Sequence, residues 1–153
     1  MAPADSRARL RHPEALDELL IYRLGRLYAT AGAMTLRVCE GEFGIARREW
    51  RLLAVLGQAG ELQPSALAAR AELDRARTSR ALTTLQTKGL VERRAVDSDR
   101  RQARVWLTDA GRALHARMLQ RVAAINHDIL AGLDDDAVAR LDALLNTLQQ
   151  RAE

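Results

Sequence analysis

Cysteine is nearly absent from this chain. Cys39 stands alone, so an intrachain disulfide framework is excluded and a zinc site lacks its usual ligands. A lone Cys39 reads as a small buried apolar side chain, with a redox-sensing thiol as the alternative. Aromatic residues make up only 3% of the chain, so aliphatic side chains must build most of the core. No run approaches the roughly 18–20 uncharged apolar residues of a membrane span. Residues 1–12 are polar and Arg-rich and lack the apolar middle of a secretory signal, so a soluble cytoplasmic protein is expected. There is no Gly-rich phosphate loop. His12, His115 and His127 lie far apart, and 115 and 127 do not share a helical face. Asp134, Asp135 and Asp136 suit a helix start better than a metal loop. No catalytic constellation, metal site or cofactor is expected, and the chain does not read as an enzyme.

Positive charge is present and unevenly placed. The net charge is +4, yet residues 75–104 hold nine basic side chains against Glu92, Asp97 and Asp99. That segment carries +6 on a slightly acidic remainder, a balance that suits a polyanionic partner.

Periodicity orders the rest. His12-Pro13-Glu14 opens a segment in which Leu16, Leu19, Leu20, Leu24, Leu27, Ala31 and Met34 recur at three- and four-residue steps, predicting a long amphipathic helix to about residue 39. A second helix is expected over 45–59, stopped by Gly60, and a short third from 63 to about 71. Asp74 is a good N-cap for a fourth helix over 75–88, closed by Gly89. The period then falls to two. Residues 90–96 and 103–107 read as strands around a turn at 97–100, an arginine-rich hairpin. Thr108 caps a fifth helix with Leu114, Met118, Val122, Ile125, Ile129 and Leu133 on one face. Asp134 caps a sixth with Val138, Leu141, Leu144, Leu145 and Leu148. The terminal helices offer more apolar face than the central lobe can cover, so a homodimer is expected.

Leu67-Ala68-Ala69-Arg70, Thr78-Ser79-Arg80-Ala81-Leu82 and Lys88-Gly89-Leu90-Val91-Glu92-Arg93 read as a helix-turn-helix running into a wing. Ser98-Asp99-Arg100-Arg101 and Leu107-Thr108-Asp109-Ala110-Gly111-Arg112 complete it. This combination closely resembles the MarR family of bacterial transcriptional regulators, at motif level over about residues 49–112. The expected fold is mainly α (α+β): a winged helix-turn-helix lobe with a two-stranded β-hairpin wing, flanked by N- and C-terminal dimerisation helices. One domain, 1–153, would hold a DNA-binding lobe at 45–108 and dimerisation helices at 13–40 and 109–152. Ser98 departs from many relatives in the tip turn.

A recognition helix presents its N-terminal residues to base edges in the major groove. Arg75, Ala76, Arg77, Ser79 and Arg80 are the candidates. Ala76, Ser79 and Arg80 share a face, while Leu82 and Leu85 should pack inward. Ser79 and Thr78 can hydrogen-bond phosphates or bases. A hairpin tip suits the minor groove. The resemblance implies that Arg101 inserts there with Asp99 orienting it. Arg94, Arg100 and Arg104 suit phosphates, which position without specifying. Ser65 could add a phosphate contact near the third helix's start.

The resemblance further implies a repressor of a pseudo-palindromic operator in double-stranded DNA, released by a small effector, often an aromatic acid. Tyr22, Arg26, Trp50 and His115 are the candidate effector pocket. Two alternatives stand beside this. One is a thiol-based oxidant sensor, although Cys39 lies at the wrong end of the first helix for the family's peroxide sensors. The other is a winged-helix protein-interaction module that binds no DNA.

Overall fold

A computed structural model of the chain describes residues 9–96 and 99–153, with the backbone alone for 95–96 and 99–102. A 3-10 turn, Leu16–Glu18, precedes helix α1, Leu20–Leu36. The expected single helix from residue 13 is therefore broken. Leu19 is extended at ψ 126°, and the Glu18 carboxylate accepts the Glu14 and Ala15 amides at 2.8 and 3.2 Å. α1 runs on into a π-helical turn, Arg37–Glu42. Helix α2, Arg47–Ala59, starts at Arg47 rather than at Ile45, which is buried in the preceding loop after Gly44 (φ 63°). Strand β1, Glu61–Leu62, leads to helix α3, Pro64–Arg70, and helix α4, Arg75–Thr87. Strands β2, Val91–Val96, and β3, Asp99–Leu107, form the hairpin. Helices α5, Asp109–Leu130, and α6, Asp135–Ala152, close the chain. Leu133 falls in the turn between them, not on α5 as its spacing suggested.

The antiparallel sheet has the order β1-β3-β2, so the hairpin gains a third strand. Two residues are too few for an alternating pattern to register, and β1 is recognisable only by its pairing of Glu61 with Trp106 and Leu62 with Val105. Asp99 pairs with Val96, so Asp99 and Arg100 belong to β3 and not to the turn expected over 97–100.

The core lies under the sheet. Leu52, Leu53 and Leu56 of α2 meet Leu67 of α3, Leu82 and Leu85 of α4, Val105 of β3 and Met118 of α5, each at most 2% exposed. Cys39 and Ile45 extend it beneath the π turn. α4 is then locked to α5 by one short motif. The Thr108 hydroxyl accepts the Gly111 amide at 3.0 Å and donates to the Gly89 carbonyl at 2.7 Å. Arg112 donates to the Leu107 carbonyl at 2.7 Å.

The ends of the chain are different. α6 has no buried residue, and Leu144 (60% exposed), Leu145 and Leu148 stand open on it. On α1, Ile21, Leu24 and Leu27 are exposed as well. Among the described residues no helix is long and apolar enough to cross a membrane.

Candidate nucleic-acid interface

α4 is started by Asp74, whose Oδ1 accepts the Arg77 amide at 2.7 Å. Its inner face is Thr78, Ala81, Leu82 and Leu85, which leaves Arg75, Ala76, Ser79 and Arg80 exposed. Thr78 corrects one expectation. It lies on the same i, i+3, i+4 stripe as Ala81 and Leu82, is 2% exposed, and donates its hydroxyl to the Asp74 carbonyl at 2.9 Å, so its hydroxyl is committed within the helix although its side chain borders the cleft between α4 and the wing. Arg77 is not free either: its Nε lies 3.0 Å from the Asp74 carboxylate. The Arg77 amide, followed by the charges of Arg77 and Arg80, holds the Asp74 carboxyl below its ordinary range.

The wing places its arginines by pleat. Val91 pairs with Leu107 and Arg93 with Val105, so Arg93 shares the inner face with the core residues. Arg94 stands directly opposite Arg104, an exposed like-charge pair that is unfavourable without a counter-anion. Glu61 of β1 offsets part of it, 3.7 Å from the Arg104 guanidinium. Between the wing root and α4 lies a cleft of about 650 Å³ lined by Ser65, Arg75, Ser79 and Arg93, with no acidic side chain in its wall. Arg75, Arg80, Arg93 and Arg94 form no ion pair among the described residues. Two guanidiniums and two hydroxyls around one cleft can grip a phosphate-bearing strand. Arg93 was not singled out as a contact from the sequence. The alternation of β2 could have found it, once Val91 was fixed as an inner residue. The side chains of Asp99, Arg100 and Arg101 lie outside the described residues.

Of the four expected effector residues, Trp50 and His115 are brought together, while Tyr22 and Arg26 are not placed with them. Trp50 and His115 stack, with ring centroids 5.8 Å apart at 23°. Arg26 lines a groove with Asp17 and Arg23 instead, and Tyr22 is exposed near the start of α1. Trp50 faces a cleft of about 270 Å³ between α1 and α2 whose other walls include Tyr28, Thr35, Cys39, Arg47 and Arg51. Tyr28 follows Arg26 by two residues, about 200° round the helix, which is why it reaches this cleft when Arg26 and Tyr22 do not. The Arg47 guanidinium sits 4.7 Å from the Tyr28 ring centre, and Arg51 donates to its hydroxyl at 3.3 Å. Burial, and then the charge of Glu40, push the Cys39 thiol up.

The family model described as MarR family matches residues 43–102, which take in α2, α3, α4, β2 and the start of β3. A MarR-family transcriptional regulator from Silicibacter pomeroyi superposes with a TM-score of 0.79 at 28% identity, over 95% of each chain. The chain is thus similar to the MarR family in sequence over residues 43–102 and in fold over nearly its whole length. A MarR mutant from E. coli complexed with operator DNA is also similar, with a TM-score of 0.70 at 27% identity over 88% of this chain and 98% of that one. NadR in complex with 4-hydroxyphenylacetate matches at 0.66 and 28% identity, over 82% of this chain and 89% of that one. These similarities, one of them to a regulator solved on operator DNA, support a winged-helix, DNA-binding transcriptional regulator.

Proposed function

We propose that this protein is a homodimeric, MarR-type repressor of a pseudo-palindromic operator, released by a small aromatic acid. One domain spans 1–153, with residues 45–108 as its DNA-binding lobe and 13–40 and 109–152 as its dimerisation segments. In each half-site α4 enters the major groove. Arg75, Ala76, Arg77, Ser79 and Arg80 face or flank the bases, with Arg77 held back by Asp74. Ser65, Arg93, Arg94, Arg100 and Arg104 hold phosphates, and Arg101, oriented by Asp99, enters the minor groove. The observation that carries this reading is the cationic surface of α4 and the wing root, where Arg75, Arg80, Arg93 and Arg94 form no ion pair among the described residues. Phosphates supply what those charges lack.

Site selection from random duplexes tests it. The outcome expected is a palindrome with half-sites about one helical turn apart. If a dimer neutralises about eight phosphates, log affinity falls against log salt with a slope near −7. A flat salt response would assign the fold to protein interaction instead. Arg101→Ala weakens operator binding while leaving the melting temperature unchanged.

The cleft between α1 and α2 supports the release step. It offers two arginines, a phenol and an indole, a fit for a flat carboxylate, and NadR was solved with a ligand of that class. Titration with 4-hydroxyphenylacetate and other aromatic acids should lower operator affinity; a panel without effect removes the effector. The thiol-sensor alternative has less support, because a buried thiol of raised pKa is a poor nucleophile.

A further inference from the structure

Arg51 connects three elements through one side chain. From α2 its guanidinium donates to the Ala71 carbonyl at 3.1 Å and to the Tyr28 hydroxyl of α1 at 3.3 Å. Ala71 is the C-cap of α3. Its amide closes on the Leu67 carbonyl at 2.9 Å, and the Leu73 amide returns to the Ala68 carbonyl at 3.0 Å. The Ala71 carbonyl lies past these bonds, where a helix end needs an outside donor. The turn it belongs to is strained: Glu72, at φ 53°, is the one non-glycine with positive φ among the described residues. Two residues later comes Asp74, the N-cap that sets where α4 begins.

We infer that Arg51 is a positioning residue for DNA recognition: it fastens the turn between α3 and α4 to α1, so that the reading end of α4 follows α1. This rests on the DNA-binding reading above. Arg51 lines the cleft between α1 and α2 and not the one between α4 and the wing, so it acts without touching DNA. The far end of α4 is held independently, by Lys88 on the Gly44 carbonyl and Glu49. Losing Arg51 therefore tilts α4 about that anchor rather than freeing it. A planar fork suits two acceptors at once; an ammonium does not reproduce it.

The test compares full-length wild type with Arg51→Gln and Tyr28→Phe, on the selected palindrome and on an unrelated duplex of equal length, with thermal unfolding alongside. Arg51→Gln should bind the palindrome about tenfold more weakly. Its affinity for the unrelated duplex should stay within about twofold, because the phosphate contacts remain. Tyr28→Phe keeps the Ala71 bond and should lose only about two- to threefold. An unchanged ratio of the two affinities in Arg51→Gln overturns the inference. Equal losses on both duplexes with a lowered melting temperature overturn it too, since Arg51 would then be merely structural. Should Arg51→Gln fail to fold, Arg51→Lys takes its place, with an intermediate loss expected and an unchanged ratio again overturning the inference. Wild type that prefers no duplex would mean that the DNA-binding reading itself has failed.

Discussion

Gly111 has room for a hydrogen and nothing larger: a Cβ there would stand 2.0 Å from the Leu90 carbonyl oxygen. Gly111→Ala should cost about 2–3 kcal/mol through forced backbone shifts. That lowers the melting temperature by about 5–10 °C, measurable by calorimetry. Asp74 makes a pH prediction. Its carboxyl is held below the ordinary 3.8, chiefly by the Arg77 amide. A depressed carboxylate adds stability that is complete above its unfolded value and disappears as pH falls through the folded one. Asp74→Asn keeps a capping oxygen but does not titrate. Wild type should therefore lose melting temperature more steeply than Asp74→Asn below about pH 4, and parallel curves would reject the assignment. The caps at Asp74, Thr108 and Asp134 were legible in the sequence because a cap is local: residue type and position decide it. Thr78 was not, because neighbouring helix positions carry similar polar residues and only packing selects the inward one.

At the scale of elements, α4 is held at its C-terminal end by the only lysine in the chain. Lys88 Nζ reaches the Glu49 carboxylate at 2.7 Å and the Gly44 carbonyl at 2.9 Å. A compact ammonium with three rotatable donors satisfies two converging acceptors at once. The Glu49 side chain is 7% exposed and also accepts the Ala46 amide at the start of α2. Lys88→Met would strand that carboxylate. A cost of about 2–3 kcal/mol is expected in urea unfolding, less than for a fully buried pair because Lys88 is partly solvated. A loss below about 0.5 kcal/mol would show that water replaces the ammonium without difficulty. Helix existence and order were readable from the periodicity. The breaks at Leu19 and Ile45 were not, because hydrogen bonds to Glu18 and burial under the π turn placed them.

For the whole molecule, the open apolar stripe of α6 is the feature that one chain cannot account for. In the homodimer proposed above, that stripe is covered by the second copy. Leu144→Glu puts a charge where Leu144 is 60% exposed in the single chain, so the fold of one subunit should be spared. Sedimentation should then report a monomer, with far-UV circular dichroism little changed. Binding to the palindrome should drop by about a hundredfold or more, since two linked half-site contacts become one. A Leu144→Glu dimer with full affinity would place the interface elsewhere.

Sequence alone determined the resemblance to the family, the order of helices and hairpin, and the concentration of positive charge on α4 and the wing. Those follow from local chemistry: period, cap, turn and charge are written within a few residues of one another. Tertiary structure alone decided which arginines face one cleft, that β1 joins the wing, and that Tyr28, Arg47 and Arg51, not Tyr22 and Arg26, meet Trp50. Such facts depend on helix rotation and strand register, which are set by the packing of segments far apart in the chain.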